Sequence, residues 1–327
     1  MCQIVHDPDS IYAIGVDIGG TKVNAGLIRE NGEIVWNCRV ETLAGQANPA
    51  DRAIDAITNV LKFLDHNGIE PRLKGIGVGS SGQIEWRTGS ILFGTELIPG
   101  YVGTPLKQML KDAFGLPVLV DNDVNVLCLT EKVLGTGRDA NHLLCLALGT
   151  GVGGALMING RIYHGAWGGA AEAGHMSVDF KGLPCLCGGA GCLEQYASGT
   201  GIAARMRRRL SEQGVPDKGI TARDVIALWQ AGDRIATEIM DETFAALGTA
   251  LASLIHMFNP EVVIIGGGVT EAGEMFINRV REEVRKKTMR SFLKGLRIEP
   301  TFQGNLSGMI GAALQVWEYD TCDHRKM

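Results

Sequence analysis

The stretch from Ile11 to Thr42, "IYAIGVDIGGTKVNAGLIRENGEIVWNCRVET", carries the pattern that decides the fold. An apolar run ends at Asp17 and a glycine turn follows. A second apolar run starts at Lys22, and Asn31-Gly32 marks a hairpin turn into a third strand of alternating character. The same succession returns at Leu143 in "LLCLALGTGVGGALMINGRIYHG", with Asn159-Gly160 in the place of the hairpin turn. Recurrence of one supersecondary unit predicts a chain built from two similar halves.

Working outward, apolar residues at helical spacing (Ala53, Ile54, Ile57, Val60, Leu61, Leu64) predict a helix over 48–66. A buried-type strand, "GIGVGSSG", and a hairpin-like region to Phe93 come next. "PLKQMLKDAFG" is helical, and "LPVLVDNDVNVLCLTEKVLG" gives a strand, a polar turn and a helix. After a loop-rich region and a helical stretch over 199–258, "PEVVIIGGGV" has the continuous apolar character of a parallel-sheet strand. A strand over 296–302 and a closing helix end the pattern. Strands alternating with helices define the class as α/β. The expected division is a first domain to residue 134, rejoined by a final helix over 308–320, and a second domain over 135–307.

The composition narrows the function. A net charge of −5 lacks the basic footprint of a nucleic-acid binder. The one basic cluster, Arg205, Arg207, Arg208 and Arg209, is expected to be a solvated helix face. The N-terminus has no signal-peptide pattern, and no apolar run approaches the ~20 residues of a membrane span. Eight cysteines, three of them within 185–192 and the rest scattered, suit a reduced cytoplasmic protein with a metal cluster.

Three glycine turns are candidate phosphate nests: Gly19, Gly20, Thr21 and Lys22; Gly149, Thr150, Gly151 and Gly153; and Gly266, Gly267 and Gly268. Neither a Walker A pattern nor a GxGxxG opening a helix is present, and the first two turns lead into hairpins. Asp17 at the end of a strand could hold Mg²⁺ through water. His175, Cys185, Cys187 and Cys192 supply the imidazole and three thiols of a tetrahedral zinc set with no position left for water, which makes the zinc structural. Glu172 and Glu194 flank that cluster as polyol binders or as partners of the metal ligands. Asp123, at a helix start, is by spacing alone a helix cap; its functional alternative is a general base.

Taken together, "DIGGTK", "VDNDVN", "GTGVGG", "AEAGH", "CLCGGAGCLE" and "NPEVVIIGGGV" resemble, in order and spacing, the ROK family of sugar kinases and sugar-responsive repressors. The resemblance runs from about Ile11 to Leu314. It implies a two-domain actin-like (ribonuclease H-like) ATPase fold with an interdomain cleft, in which ATP and a hexose meet. It makes Asp123 the catalytic base. Asn122, Glu172, His175 and Glu194, with Ser81 and Gly82, become sugar-binding positions, and the glycine turns become the sites for Mg-ATP. The implied reaction transfers the γ-phosphoryl group of ATP to the 6-hydroxyl of glucose or of an N-acetylated amino sugar such as N-acetylmannosamine, and a homodimer is the expected assembly. In a loop that contacts sugar in the family, Leu97 stands where an Asn is common, with Thr95 and Glu96 as substitutes for its contact. The family's repressors carry a DNA-reading domain before the first strand; with about ten residues there, the alternative is a non-catalytic sugar sensor without one.

Overall fold

The computed structural model describes residues 10–46, 48–94, 98–216, 218–302, 304 and 306–319. Thr95, Glu96 and Leu97, the terminal cysteines Cys2 and Cys322, and the last residue of the expected final helix lie outside these described residues. Two compact units form. One contains the chain to Arg138, Ile162–Ala170 and the chain from Phe302; the other contains Asp139–Arg161 and Ala171–Thr301.

In the first unit, β1 (Ile11–Ile18), β2 (Lys22–Arg29) and β3 (Ile34–Glu41) make an antiparallel meander. Helix α1 (Pro49–His66) follows, started by Asn48, whose side chain accepts the Ala50 N–H at 2.9 Å. Next come β4 (Arg72–Ser80), the small hairpin β5 (Gln83–Glu85) and β6 (Ser90–Phe93), α2 (Leu106–Phe114), β7 (Val118–Asn122) and α3 (Asp123–Val133). The main sheet runs β3-β2-β1-β4-β7, with β4 parallel to β1 and β7 parallel to β4.

The second unit repeats this order. It contains β8 (Leu143–Leu148), β9 (Val152–Ile158) and the first residue of β10 (Arg161–Ile162), then α4 (Glu194–Ala197), α5 (Gly199–Glu212), α6 (Ala222–Gln230) and α7 (Arg234–Phe258). β11 (Val262–Gly266), α8 (Glu274–Lys287) and β12 (Arg297–Pro300) complete it. Its sheet is β10-β9-β8-β11-β12. Strand for strand this matches the first sheet, as the repeated sequence unit predicts. Asn159 and Gly160 both have positive φ, at 53° and 74°, the geometry that a two-residue hairpin turn demands.

The last helix, α9 (Ser307–Glu318), returns to the first sheet. Its seat is a row of glycines: Gly26, Gly15 and Gly77 are register partners on β2, β1 and β4. A β-carbon at Gly15 would overlap the Met309 carbonyl oxygen, one at Gly77 the Ala312 carbonyl oxygen, and one at Gly26 would crowd the Met309 sulfur at 2.9 Å. These glycines therefore serve helix-on-sheet contact rather than ligand approach. Glu131, buried at the end of α3, accepts the Phe302 N–H at 2.8 Å and so fixes the chain leading into α9.

One of the α5 arginines, Arg205, departs from the expected solvated face, while Arg208 is exposed as expected. Arg205 is buried and donates to the Tyr196 and Ile239 carbonyls, the Thr243 hydroxyl and Glu242, tying α5 to α4 and α7. Arg208 and Arg209 are paired with Glu212 and Glu242. The sequence marks a basic cluster but not which member faces α7. Among the described residues, no helix is long and apolar enough to cross a membrane.

Gly77→Ala is expected to displace α9 and lower the unfolding free energy by about 3 kcal/mol. Chemical denaturation measures this, and a midpoint equal to wild type would show that the glycine row is not what admits the helix.

Candidate functional site

In the first unit the carboxyl ends of three adjacent parallel strands converge, the usual ligand edge of an open α/β sheet. Register places Asp17 beside Gly79, Ile18 beside Ser80, and Ser80 beside Asn122. The Ser81 N–H donates to the Ile18 carbonyl at 3.1 Å, and Asn122 Nδ2 donates to the Gly82 carbonyl at 3.0 Å. Gly82 has φ 96°, a conformation that glycine tolerates. Behind the loop, the buried Tyr101 hydroxyl and Ser80 Oγ lie 2.9 Å apart, and burial pushes the phenol up from its ordinary value. Asp17, Ser81, Gly82, Asn122 and Asp123 thus form one cluster.

The start of α3 settles which residue is the cap. The Asn122 side chain accepts the Val124 N–H at 2.8 Å in the N-cap position, and Asp123 is the first helical residue, with Oδ1 2.9 Å from the same N–H. Asp123 is therefore not the N-cap that spacing alone favoured.

Asp17 receives Asn24 Nδ2 at 3.2 Å, and the first turn of α9 lies against it, since a β-carbon at Gly308 would sit 3.1 Å from its carboxyl carbon. Burial pushes its carboxyl above the usual range, opposed by Asn24 and by nearby Lys22. A buried carboxylate of this kind is stabilised by a cation, which suits Mg²⁺. The adjacent turn of Gly19, Gly20 and Thr21 is closed by the Gly19 N–H to the Lys22 carbonyl at 3.0 Å and braced by Thr42 Oγ1 on the Gly19 carbonyl at 2.7 Å. Lys22 itself already belongs to β2.

In the second unit, the turn after β8 closes in the same way, by the Gly149 N–H to the Gly151 carbonyl at 2.9 Å, while Gly153 lies within β9. The turn after β11 crosses it: Gly267, at φ 95°, rests on the Leu148 backbone, and Gly266 abuts Thr301. Gly149 and Gly268 face open space and, with Thr150, line a cleft of about 580 Å³. Its other walls were not legible in the sequence. They include Thr200 at the start of α5, Thr221 at the start of α6, Arg207, Arg223 and Glu271. The Gly199 N–H donates to the Gly149 carbonyl at 2.8 Å, so the N-terminus of α5 abuts the turn. Ser198 before α5 and the Thr221–Asp224 capping box before α6 are visible helix-start signals. Their meeting at one cleft is tertiary. Glycine edges, a helix N-terminus and two arginines suit a nucleoside phosphate.

Gly151 also has a packing duty that its motif does not reveal. A β-carbon there would overlap Glu194 Oε2, and the same oxygen accepts the Val152 N–H at 3.0 Å. Glu194 is thereby fixed to the glycine turn. Also against β9, Ala171 adopts φ 64° and Gly174 sits on the Val152 carbonyl, which holds the short turn carrying Glu172 and His175.

The four ligand atoms of His175, Cys185, Cys187 and Cys192 lie within 4.8 Å of one another. His175 Nδ1 is 3.8 Å from Cys185 Sγ, and the Cys187 and Cys192 sulfurs are 3.5 Å apart. A tetrahedron with Zn–S bonds of ~2.3 Å has edges of ~3.8 Å, so the set fits zinc. Cys192 is pushed up to about 12 by burial and by its neighbouring thiols, whereas the Gly189 N–H draws Cys187 down. Three clustered sulfurs cannot all ionise without a cation, which is the chemistry that zinc supplies. Gln195 Nε2 donates to Cys185 Sγ at 3.6 Å, a support that spacing did not reveal.

The ROK family profile matches residues 13–318. A glucokinase of Halalkalibacterium halodurans is 36% identical, over 92% of this chain and 93% of that protein. A putative xylose repressor of Caldicellulosiruptor sp. is 30% identical, over 93% of this chain and 77% of the repressor. Among solved structures, a ROK family glucokinase from Streptomyces griseus in complex with glucose and AMPPNP is 30% identical, with a TM-score of 0.78, covering 94% of this chain and 99% of that one.

Cys187→Ser is expected to strip the cluster of zinc, read by elemental analysis, and to make the loop over 175–192 more sensitive to protease. Undiminished metal content would show that these four residues are not the ligand set.

Proposed function

Since the chain belongs to the ROK family, has its actin-like α/β fold and is an ATP-dependent sugar kinase, we propose that its acceptor is glucose, phosphorylated on the 6-hydroxyl. The glucokinase relative supports this choice of sugar, and the AMPPNP in the similar structure, an ATP analogue, supports the donor. Within this chain the reading rests on one observation: Asn122 caps α3, which relieves Asp123 of that duty at the edge where three strand ends meet.

The roles then follow from chemistry. Asp123 accepts the proton of the 6-hydroxyl as the hydroxyl oxygen bonds to the γ-phosphorus, and the bond from that phosphorus to the bridging oxygen breaks to release ADP. In the first unit Asn122, Ser81 and Gly82, and in the second Glu172, His175 and Glu194, are each suited to hydrogen-bond sugar hydroxyls. His175 has Nδ1 toward the thiols, which directs its other nitrogen to the sugar. The turns at Gly19–Lys22 and Gly149–Gly153 hold ATP phosphates, and Gly266–Gly268 with the cleft beside it takes the adenosine. Asp17 is the residue that would seat Mg²⁺, which neutralises phosphate charge when bound. Zinc, held by His175 and the three cysteines, would fix the loop ends that carry Glu172 and Glu194.

Similarity to a putative xylose repressor favours a second reading, a sugar sensor without turnover. An ADP-release assay with Mg-ATP against glucose, N-acetylmannosamine, N-acetylglucosamine and xylose separates the two. Glucose is expected to give the highest kcat/KM. Asp123→Asn is expected to lower kcat by about 10²- to 10⁴-fold with glucose affinity retained. Preference for an amino sugar would displace glucose, undiminished turnover in the variant would remove Asp123 as base, and sugar binding without turnover in wild type would favour the sensor.

A further inference from the structure

The segment Ile162–Ala170 belongs to the first unit although it is enclosed in sequence by the second. It is docked on the β5–β6 hairpin. The Trp86 N–H donates to the Trp167 carbonyl at 3.2 Å, Arg87 donates to the Ala166 carbonyl at 3.1 Å, and Gly168 rests on the Ile84 carbonyl. That docking brings the His164 ring flat onto Trp86, with centroids 4.7 Å apart and planes 13° from parallel. The Arg87 guanidinium lies 5.0 Å from the same indole. His164 Nε2 then meets Asp121 Oδ2 at 2.7 Å, and both side chains are more than nine-tenths buried.

Asp121 immediately precedes the Asn122-Asp123 pair. Its other oxygen, Oδ1, accepts the Asn122 N–H and Asn125 Nδ2, each at 2.7 Å. One carboxylate thus holds the backbone of the turn and the first turn of α3, and its remaining oxygen is satisfied by His164. An ionised carboxylate only accepts, which assigns the proton on Nε2 to the histidine. Without that donor, Oδ2 would be buried and unpaired, and the carboxylate would have to turn or draw water.

We propose that His164 is a positioning residue for phosphoryl transfer: clamped by Trp86, it orients Asp121, which in turn sets the Asn122-Asp123 turn. The role in catalysis rests on the reading of Asp123 as base, whereas the hold on the turn does not. Aim matters because a displacement of about 1 Å at a reacting group can cost a hundredfold in rate. No motif singles out His164, whose partner lies 43 residues earlier in the chain.

The test compares His164→Leu with His164→Gln, whose Nε2 is a donor at a similar reach, in full-length zinc-loaded protein. Two readouts are taken: steady-state kinetics with glucose and Mg-ATP, and hydrogen exchange of residues 118–126. In His164→Leu, kcat is expected to fall about ten- to a hundredfold. KM is expected to change far less, and exchange in the turn to quicken. His164→Gln is expected to restore most of both. Unchanged exchange in the leucine variant would overturn the inference, and so would quickened exchange with wild-type kcat while Asp123→Asn is inactive. A loss that glutamine does not rescue would reduce His164 to packing and overturn it equally. If Asp123→Asn stays active, the assignment of the base fails instead, and the exchange comparison alone then decides whether His164 holds the turn.

Discussion

The contact on which the first unit depends is α9 lying on the glycine row of β2, β1 and β4. Helices commonly rest on sheets through a layer of side chains, and here the Met309 and Ala312 carbonyls stand where β-carbons would be. The approach brings the final helix against Ala13 and Ile28 of the sheet and, through Leu129, Ile310 and Leu314, against α3. Its first turn, at Gly308, closes over Asp17. A packing constraint that looks purely structural therefore shapes the surroundings of the carboxylate that would seat magnesium.

A second theme is positioning by backbone. Glu194 is held by the Val152 N–H in a gap that only a glycine at position 151 leaves open. Asn122 is held by its own helix cap and by the Gly82 carbonyl. The Glu172–His175 turn rests on β9 through Gly174, in a conformation that puts Ala171 at positive φ. Groups fixed in this way lose little freedom when a ligand arrives, which is what precise alignment of a phosphoryl acceptor requires. Zinc at the His175 and cysteine cluster would do the same for a loop in which Phe180 and Leu186 are exposed, its metal bonds adding to what little apolar packing the loop has.

How far the sequence reveals this depends on whether a feature is local. The hairpin units at Ile11 and Leu143 are legible because turn residues and apolar runs are local, and the matched strand order of the two sheets follows from them. The candidate metal cluster is legible because three of its four residues fall within one short loop. What stays hidden is pairing across distance. Composition cannot tell the glycines that admit α9 from those that border the cleft beside α5. It cannot tell that Arg205 turns into α7 while Arg207 lines the cleft, or that His164 reaches Asp121. Asn122 and Asp123 are both good capping residues, and only the observed φ/ψ and side-chain geometry distinguish them.

The reaction proposed for this chain is transfer of a phosphoryl group from ATP to the primary hydroxyl of a hexose, with Asp123 as base. The most direct measurement is ³¹P and ¹³C NMR of the product formed from Mg-ATP and glucose labelled at C6. The account predicts a phosphate monoester whose phosphorus couples to the labelled carbon, formed in step with ADP. A phosphate on the anomeric carbon, or ADP released with only inorganic phosphate, would contradict it.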